Sequence, residues 1–263
     1  MPTLLLRHAD VIHVCDDARQ VIRDGYVLVR DGRIAAVGRE PAPAVDVDEE
    51  ISAAGCVVTP GLVNIHHHLY QTLTRALPLA TRSNILDWLF VMYPIWAEID
   101  ADAYYRASLA TNCELLASGC TTNADFAYLM PEADGEMAAE EIRGAREAGI
   151  RFVLVRGGMP GIEADLESRL RPVMGRQLDR LLDREEELFP KIESTIRRYH
   201  DTSPGAMLQV AVGPTSVTYG QPRFMRRFAE LARANECGLH VHFDPRPDER
   251  AVMHAQAGRP IDL

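Results

Sequence analysis

Lysine is nearly absent from this chain: Lys191 is the sole lysine among 28 basic residues, so any chemistry that needs an amine side chain rests on one position. Positive charge is outweighed as well. A formal charge of −10 and a pI near 5.4 disfavour a nucleic-acid backbone or an anionic membrane as partner, and a small neutral ligand is easier to accommodate. Paired cysteines are missing. Cys15, Cys56, Cys113, Cys120 and Cys237 are odd in number, widely spaced and free of any Cys-x-x-Cys pair, which argues against a disulfide framework and against a thiolate zinc site. Buried thiols in a reducing, cytoplasmic compartment are the expectation. No apolar run reaches the length of a membrane span, and the stretch from Met1 to His8 is too short in apolar residues for a signal peptide. An early glycine-rich phosphate turn, the usual mark of an open doubly wound sheet, is absent too.

What remains is the composition of a soluble globular protein. The 263 residues, 47% hydrophobic and 25% charged, can bury a sizeable core in one large or two unequal domains. Residues 1–58 read as a small all-β portion, with strands at Leu4–Leu6, Val11–Val14, Tyr26–Val29 and Arg33–Val37 and a hairpin signal at Asp31-Gly32. Beyond the proline-rich Pro41-Ala42-Pro43 loop, residues 59–263 alternate strand and helix. Asp100 is placed to cap a helix running to Ser118 and closed by Gly119, which leads into a strand at Thr121–Asp125. A second helix, Met137–Ala148, ends at Gly149 before Ile150–Val155. A long charged helix over Leu178–Tyr199 precedes Met207–Val212, and a last helix over Pro222–Asn235 precedes a strand at Leu239. Strands joined by helical crossovers argue for a parallel sheet. Counted from His66, five are visible where a (β/α)8 barrel needs eight.

The most informative run is Thr59-Pro60-Gly61-Leu62-Val63-Asn64-Ile65-His66-His67-His68. Side chains alternate along a strand, so His66 and His68 face one way and His67 the other. Leu239-His240-Val241-His242-Phe243 repeats the device far along the chain. Either pair alone fits a solvated loop or a satisfied core histidine equally well. Two pairs at strand ends, on the barrel face where function gathers, favour a metal held by neutral imidazoles. His8, His13, His200 and His254 have no such context and read as surface or packing residues.

Pro60-Gly61-Leu62-Val63-Asn64, the His66-His67-His68 triplet, Tyr70-Gln71-x-Leu73-Thr74-Arg75-Ala76-x-Pro78, Gly119-Cys120-Thr121-Thr122, Arg156-Gly157-x-Met159 and His240-x-His242-Phe243 follow one another in the order of a known family. The chain resembles the amidohydrolase superfamily, in its branch of 8-oxoguanine deaminase and the s-triazine hydrolases. The resemblance implies a β-sandwich portion beside a metal-dependent TIM barrel that hydrolyses an exocyclic C–N bond of a purine, pyrimidine or triazine ring. It assigns His66 and His68 as first-strand ligands and His242 as the fifth-strand ligand, with His240 a neighbouring pocket or structural residue. Gln71 and Trp88 fall at positions that line the substrate pocket, although Trp88 reads equally as a core aromatic. Relatives with two ions bridge them with a carboxylated lysine at a strand end, and Gln209–Val212 has none, so one divalent ion, zinc or iron, is expected. Such an ion lowers the pKa of bound water toward ~7.

Two departures accompany the resemblance. Pro245 stands where relatives carry a glutamate proton shuttle, which leaves Asp244 as the substitute, ahead of Asp248 and Glu249 beyond Pro247; all three acids also suit the cap of a following helix. A sixth-strand histidine and an eighth-strand aspartate are missing. The expectation is the N-terminal part of a longer, homo-oligomeric enzyme, or a truncated product that binds metal weakly and does no chemistry. A cyclic-amide hydrolase is the rival enzyme class, disfavoured by the absent strand lysine.

Overall fold

The computed structural model describes residues 2–131, 136–216, 222–243, 251, 253–255 and 258. The chain divides into two compact units, Met1–Gly61 and Leu62–Leu263. In the first, β1 (Leu4–His13), β2 (Val21–Arg30), β3 (Arg33–Arg39) and β4 (Glu49–Ser52) form a sheet in the order β3-β2-β1-β4, with β5 (Val57–Val58) also on β1. The portion expected to be a sandwich is thus one mixed sheet among the described residues. The two short strands read at its start are one strand with an irregularity between Leu6 and Ala9, where His8 takes φ 59°. A left-handed residue there takes up the extra length without ending the ladder. The Asp31-Gly32 hairpin is present, with φ 51° and 71° at the two turn residues and Arg30 paired with Arg33. Two successive left-handed residues match the twist of the strands they join.

The second unit is built on a parallel sheet of β6 (Leu62–His67), β7 (Cys120–Ala127), β8 (Arg151–Gly158) and β9 (Leu208–Pro214), in that order. The fifth strand is a looser addition: Leu239 bridges Val212 and His242 bridges Ser216, both parallel, without a continuous ladder. Helices make the crossovers: α1 (Ile85–Trp96) and α2 (Ala101–Ala117) between β6 and β7, α3 (Glu136–Ala148) between β7 and β8, α4 (Ala164–Met174) and α5 (Glu185–Tyr199) between β8 and β9, and α6 (Pro222–Ala234) after β9. Asp100 caps α2 by accepting from the Ala103 N–H at 2.8 Å, and Gly119 and Gly149, at φ 88° and 81°, turn the chain out of α2 and α3. This is part of a barrel. Among the described residues β6 has no second neighbour, and its Leu62, Val63 and Ile65 are exposed.

Two further readings need correction. The charged stretch expected as one helix over Leu178–Tyr199 is split: a 3-10 turn (Gly175–Arg180) carries Leu178, and α5 begins only at Glu185. Asp183 breaks the run, because its side chain accepts from the Met159 N–H while its own N–H donates to the Met159 carbonyl, both at 2.8 Å. The segment holding Trp88, to which the sequence reading gave no secondary structure, is a helix, capped by Asn84 accepting from the Asp87 N–H. The cysteines are not uniformly buried: Cys15, Cys56 and Cys113 are exposed, Cys237 is half-buried, and only Cys120 is fully enclosed.

Candidate metal centre

β6 ends at His67, and a 3-10 turn (Leu69–Thr74) follows at once. His66 and His68 therefore sit at the strand's C-terminal end, on the face shared with Phe126 of β7. The Phe126 ring lies 6.1 Å from His66, 5.9 Å from His68, 5.1 Å from His240 and 4.7 Å from His242. Tyr128 closes the same side, 5.4 Å from His68 and 5.7 Å from His242. Four imidazoles thus converge over two aromatic rings. Gly213 lets the last two approach: a Cβ there would collide with the His240 carbonyl oxygen.

Backbone carbonyls orient the rings. His68 Nδ1 lies 2.8 Å from the Phe126 carbonyl and His242 Nδ1 lies 2.6 Å from the Thr215 carbonyl, so each Nδ1 carries a proton and donates it. Both Nε2 atoms are then left with lone pairs, and they face each other at 2.9 Å. Two lone pairs repel at that distance unless a cation lies among them. His66 adds a third donor, with candidate ligand atoms of His66, His68 and His242 all within 4.8 Å of one another. Its Nδ1 is 2.7 Å from His240 Nε2.

The electrostatics agree. Burial, reinforced by the neighbouring His242, pushes His68 down to about 3, and burial pushes His242 down to about 4. Burial also lowers His66 and His240. Neutral imidazoles are the ligating form, and a ring whose second nitrogen donates to a carbonyl is the usual support for a metal ligand. The donor set fits a divalent ion.

Gln71 and Trp88 line a cavity of about 620 Å³ together with His66 and His68. Gln71 lies in the turn after the ligand pair, its N–H donating to the His68 carbonyl at 3.0 Å. Trp88 is half-buried at the cavity wall and packed edge-on against Trp96 at 5.0 Å. His67 stays outside the three-nitrogen group, yet its ring reaches the cavity beside the paired Arg75 and Glu114. Asp244, Asp248 and Glu249 lie outside the described residues. Sequence reasoning missed the supporting carbonyls of Phe126 and Thr215, which no side-chain pattern could reveal.

Residues 57–262 match the amidohydrolase family. The chain belongs to that family. It is 35% identical over 226 residues to an 8-oxoguanine deaminase of Pseudomonas aeruginosa, an alignment covering 86% of this chain and 49% of that protein. A hydroxydechloroatrazine ethylaminohydrolase of a Pseudomonas species is 33% identical over 241 residues, covering 86% and 48%. Among solved structures, an atrazine chlorohydrolase from Arthrobacter aurescens complexed with zinc superposes with a TM-score of 0.85 at 26% identity, over 98% of this chain and 56% of that one. The chain spans about half the length of the curated family members it matches. Among its described residues no helix is long and apolar enough to cross a membrane.

Proposed function

We propose that this chain carries the first-strand and fifth-strand metal ligands of an aminohydrolase that removes an exocyclic amino group from a purine, pyrimidine or triazine ring. The observation that carries the reading is the pair of facing Nε2 lone pairs on His68 and His242, with His66 as third donor. The ion, when bound, supplies Lewis acidity that activates water. Zinc is favoured over iron because a family member of like fold holds zinc. The absence of lysine from β9 supports a single ion.

The chain's own residues set up the rest. Phe126 and Thr215 hold the ligand rings in the tautomer that presents Nε2. Trp88 offers a planar aromatic wall and Gln71 an amide that both donates and accepts, which suits a flat heteroaromatic with ring nitrogens and carbonyls. Asp244, two residues after His242, is the proposed carrier of the proton to the leaving ammonia. Exposed free thiols at Cys15, Cys56 and Cys113 support a reducing, cytoplasmic location.

The test is zinc binding by the purified protein, followed by ammonia release from 8-oxoguanine, isoxanthopterin and an amino-triazine. Near-stoichiometric zinc that is lost in His68→Ala, with ammonia from one of these rings, is the expected result. Zinc uptake indifferent to His68→Ala would remove the metal assignment. Opening of a hydantoin or dihydropyrimidine ring without ammonia release from the panel would replace the deaminase reading with the cyclic-amide one.

A further inference from the structure

The outward face of β7, opposite the histidines, holds a polar network that is wholly buried under α2 and α3. Asn123, Asp125, Asn112, Ser108 and Glu141 are each 0% exposed. Burying that many polar groups is costly unless they are hydrogen-bonded. At one end, Asn64, two residues before His66, donates through Nδ2 to Asn123 Oδ1 at 2.9 Å, and Asn123 donates to Asn112 Oδ1 at 2.9 Å. At the other end the Leu69 N–H, one residue after His68, donates to Asp125 Oδ1 at 2.6 Å. Between them Asn112 donates to Ser108 Oγ at 3.2 Å, and Ser108 Oγ donates to the carbonyl of Glu141 at 2.7 Å. Both flanks of the His66-to-His68 segment are thus tied to one buried framework.

We propose that Asp125 is a positioning residue for the metal centre: through the Leu69 N–H it fixes the turn that sets the ring of His68. The inference rests on the metal reading above. Asp125 is also followed directly by Phe126, whose carbonyl takes the His68 Nδ1 proton, so β7 grips His68 from the backbone on one side and the ring on the other. No other side chain accepts from the Leu69 N–H among the described residues.

The remaining oxygen of Asp125 lies beside the carboxyl of Glu141. Asp125 Oδ2 and both carboxyl oxygens of Glu141 have no partner from other residues, and the two carboxyls interact with each other. Two acids so close and so buried cannot both ionise, so they share one proton. Burial raises both carboxyls, and buried Arg156 opposes the rise at Glu141. Whichever carboxyl carries that proton, Asp125 Oδ1 accepts from the Leu69 amide. Such outer partners typically carry about 10–100-fold of a site's metal affinity.

The experiment uses Co²⁺ as probe on the protein and its Asp125→Ala, Asp125→Asn and His68→Ala variants, reading affinity and the visible absorption of the bound ion. Fold is checked by circular dichroism. Asp125→Ala is expected to bind Co²⁺ about 10–100-fold more weakly with an altered spectrum. Asp125→Asn, whose amide oxygen still accepts from Leu69, is expected to restore the parent spectrum. Parent-like affinity and spectrum in Asp125→Ala, or equal damage in both variants, overturns the proposal. A second measurement needs no variant: the Leu69 amide of the metal-free protein should exchange with deuterium slowly, and fast exchange there overturns the anchor even if Asp125→Ala does not fold. His68→Ala judges the metal reading separately, since only that reading fails if its Co²⁺ binding is unchanged.

Discussion

His68 Nε2 lies 2.9 Å from His242 Nε2, and neither nitrogen has a proton to place between them, because each ring has already given its Nδ1 proton to a backbone carbonyl. The two residues come from opposite ends of the parallel sheet's order, β6 and the segment beyond β9. Their meeting defines the site.

The pH dependence follows from that burial. His68 and His242 fall to about 3 and about 4 in the fold, below the ordinary 6.5. The unfolded chain therefore binds more protons between those values, and stability contributed by the neutral rings is complete above about 6.5 and is lost as the pH falls toward 4 and then 3. A melting series on the metal-free protein should show Tm declining over that window. His68→Ala should flatten the decline; an unchanged slope would mean that other groups cause it.

Gly213→Ala tests the approach of the fifth strand. The added methyl would meet the His240 carbonyl oxygen, so the segment carrying His240 and His242 must retreat from β9. Zinc affinity should fall by at least tenfold, on the order of the loss seen when a ligand's support is removed. Calorimetric titration of the variant checks it. Unaltered affinity would show that the segment shifts without moving His242.

The two tryptophans should separate stability from recognition. Trp96 is 1% exposed, its Nε1–H donates to Thr74 Oγ1 at 3.1 Å, and it packs on Tyr70, Trp88 and Tyr93. Trp96→Ala should cost about 3–5 kcal/mol by denaturant unfolding. Trp88→Ala, at the cavity wall, should cost less stability and chiefly weaken binding of a flat heteroaromatic, measured by fluorescence or calorimetry, with zinc affinity retained.

The contact of α2 with α3 gives a purely structural prediction. At Gly144 a Cβ would lie 2.7 Å from the Tyr105 carbonyl, 2.8 Å from Ser108 Cβ and 2.9 Å from the Leu109 nitrogen. Gly144→Ala, though favourable for helix propensity, should destabilise the protein by about 1–3 kcal/mol through overpacking. A gain in denaturation midpoint would contradict the close approach.

Much of this architecture is readable from local residues. Asp100, Gly119, Gly149 and Asp31-Gly32 act on their own neighbours, and capping or left-handed turns depend on little else. The readings that failed depended on distant partners. Asp183 ends a helical run only because Met159 offers it both a donor and an acceptor. The single strand β1 replaces two because β2 supplies a partner across the irregularity at His8.

The same division holds at the site. Alternation along a strand by itself determined that His66 and His68 share a face and that His240 and His242 form a matching pair, since that follows from the pleat. Family resemblance singled out His242 over His240, but only the tertiary structure decided that the His242 ring meets His68, that both rings present Nε2, and that a buried Asp125 accepts from the turn behind them. The physical reason is that tautomer and aim are set by backbone carbonyls and a backbone N–H. These groups are the same in every residue, so their effect depends on where folding brings them.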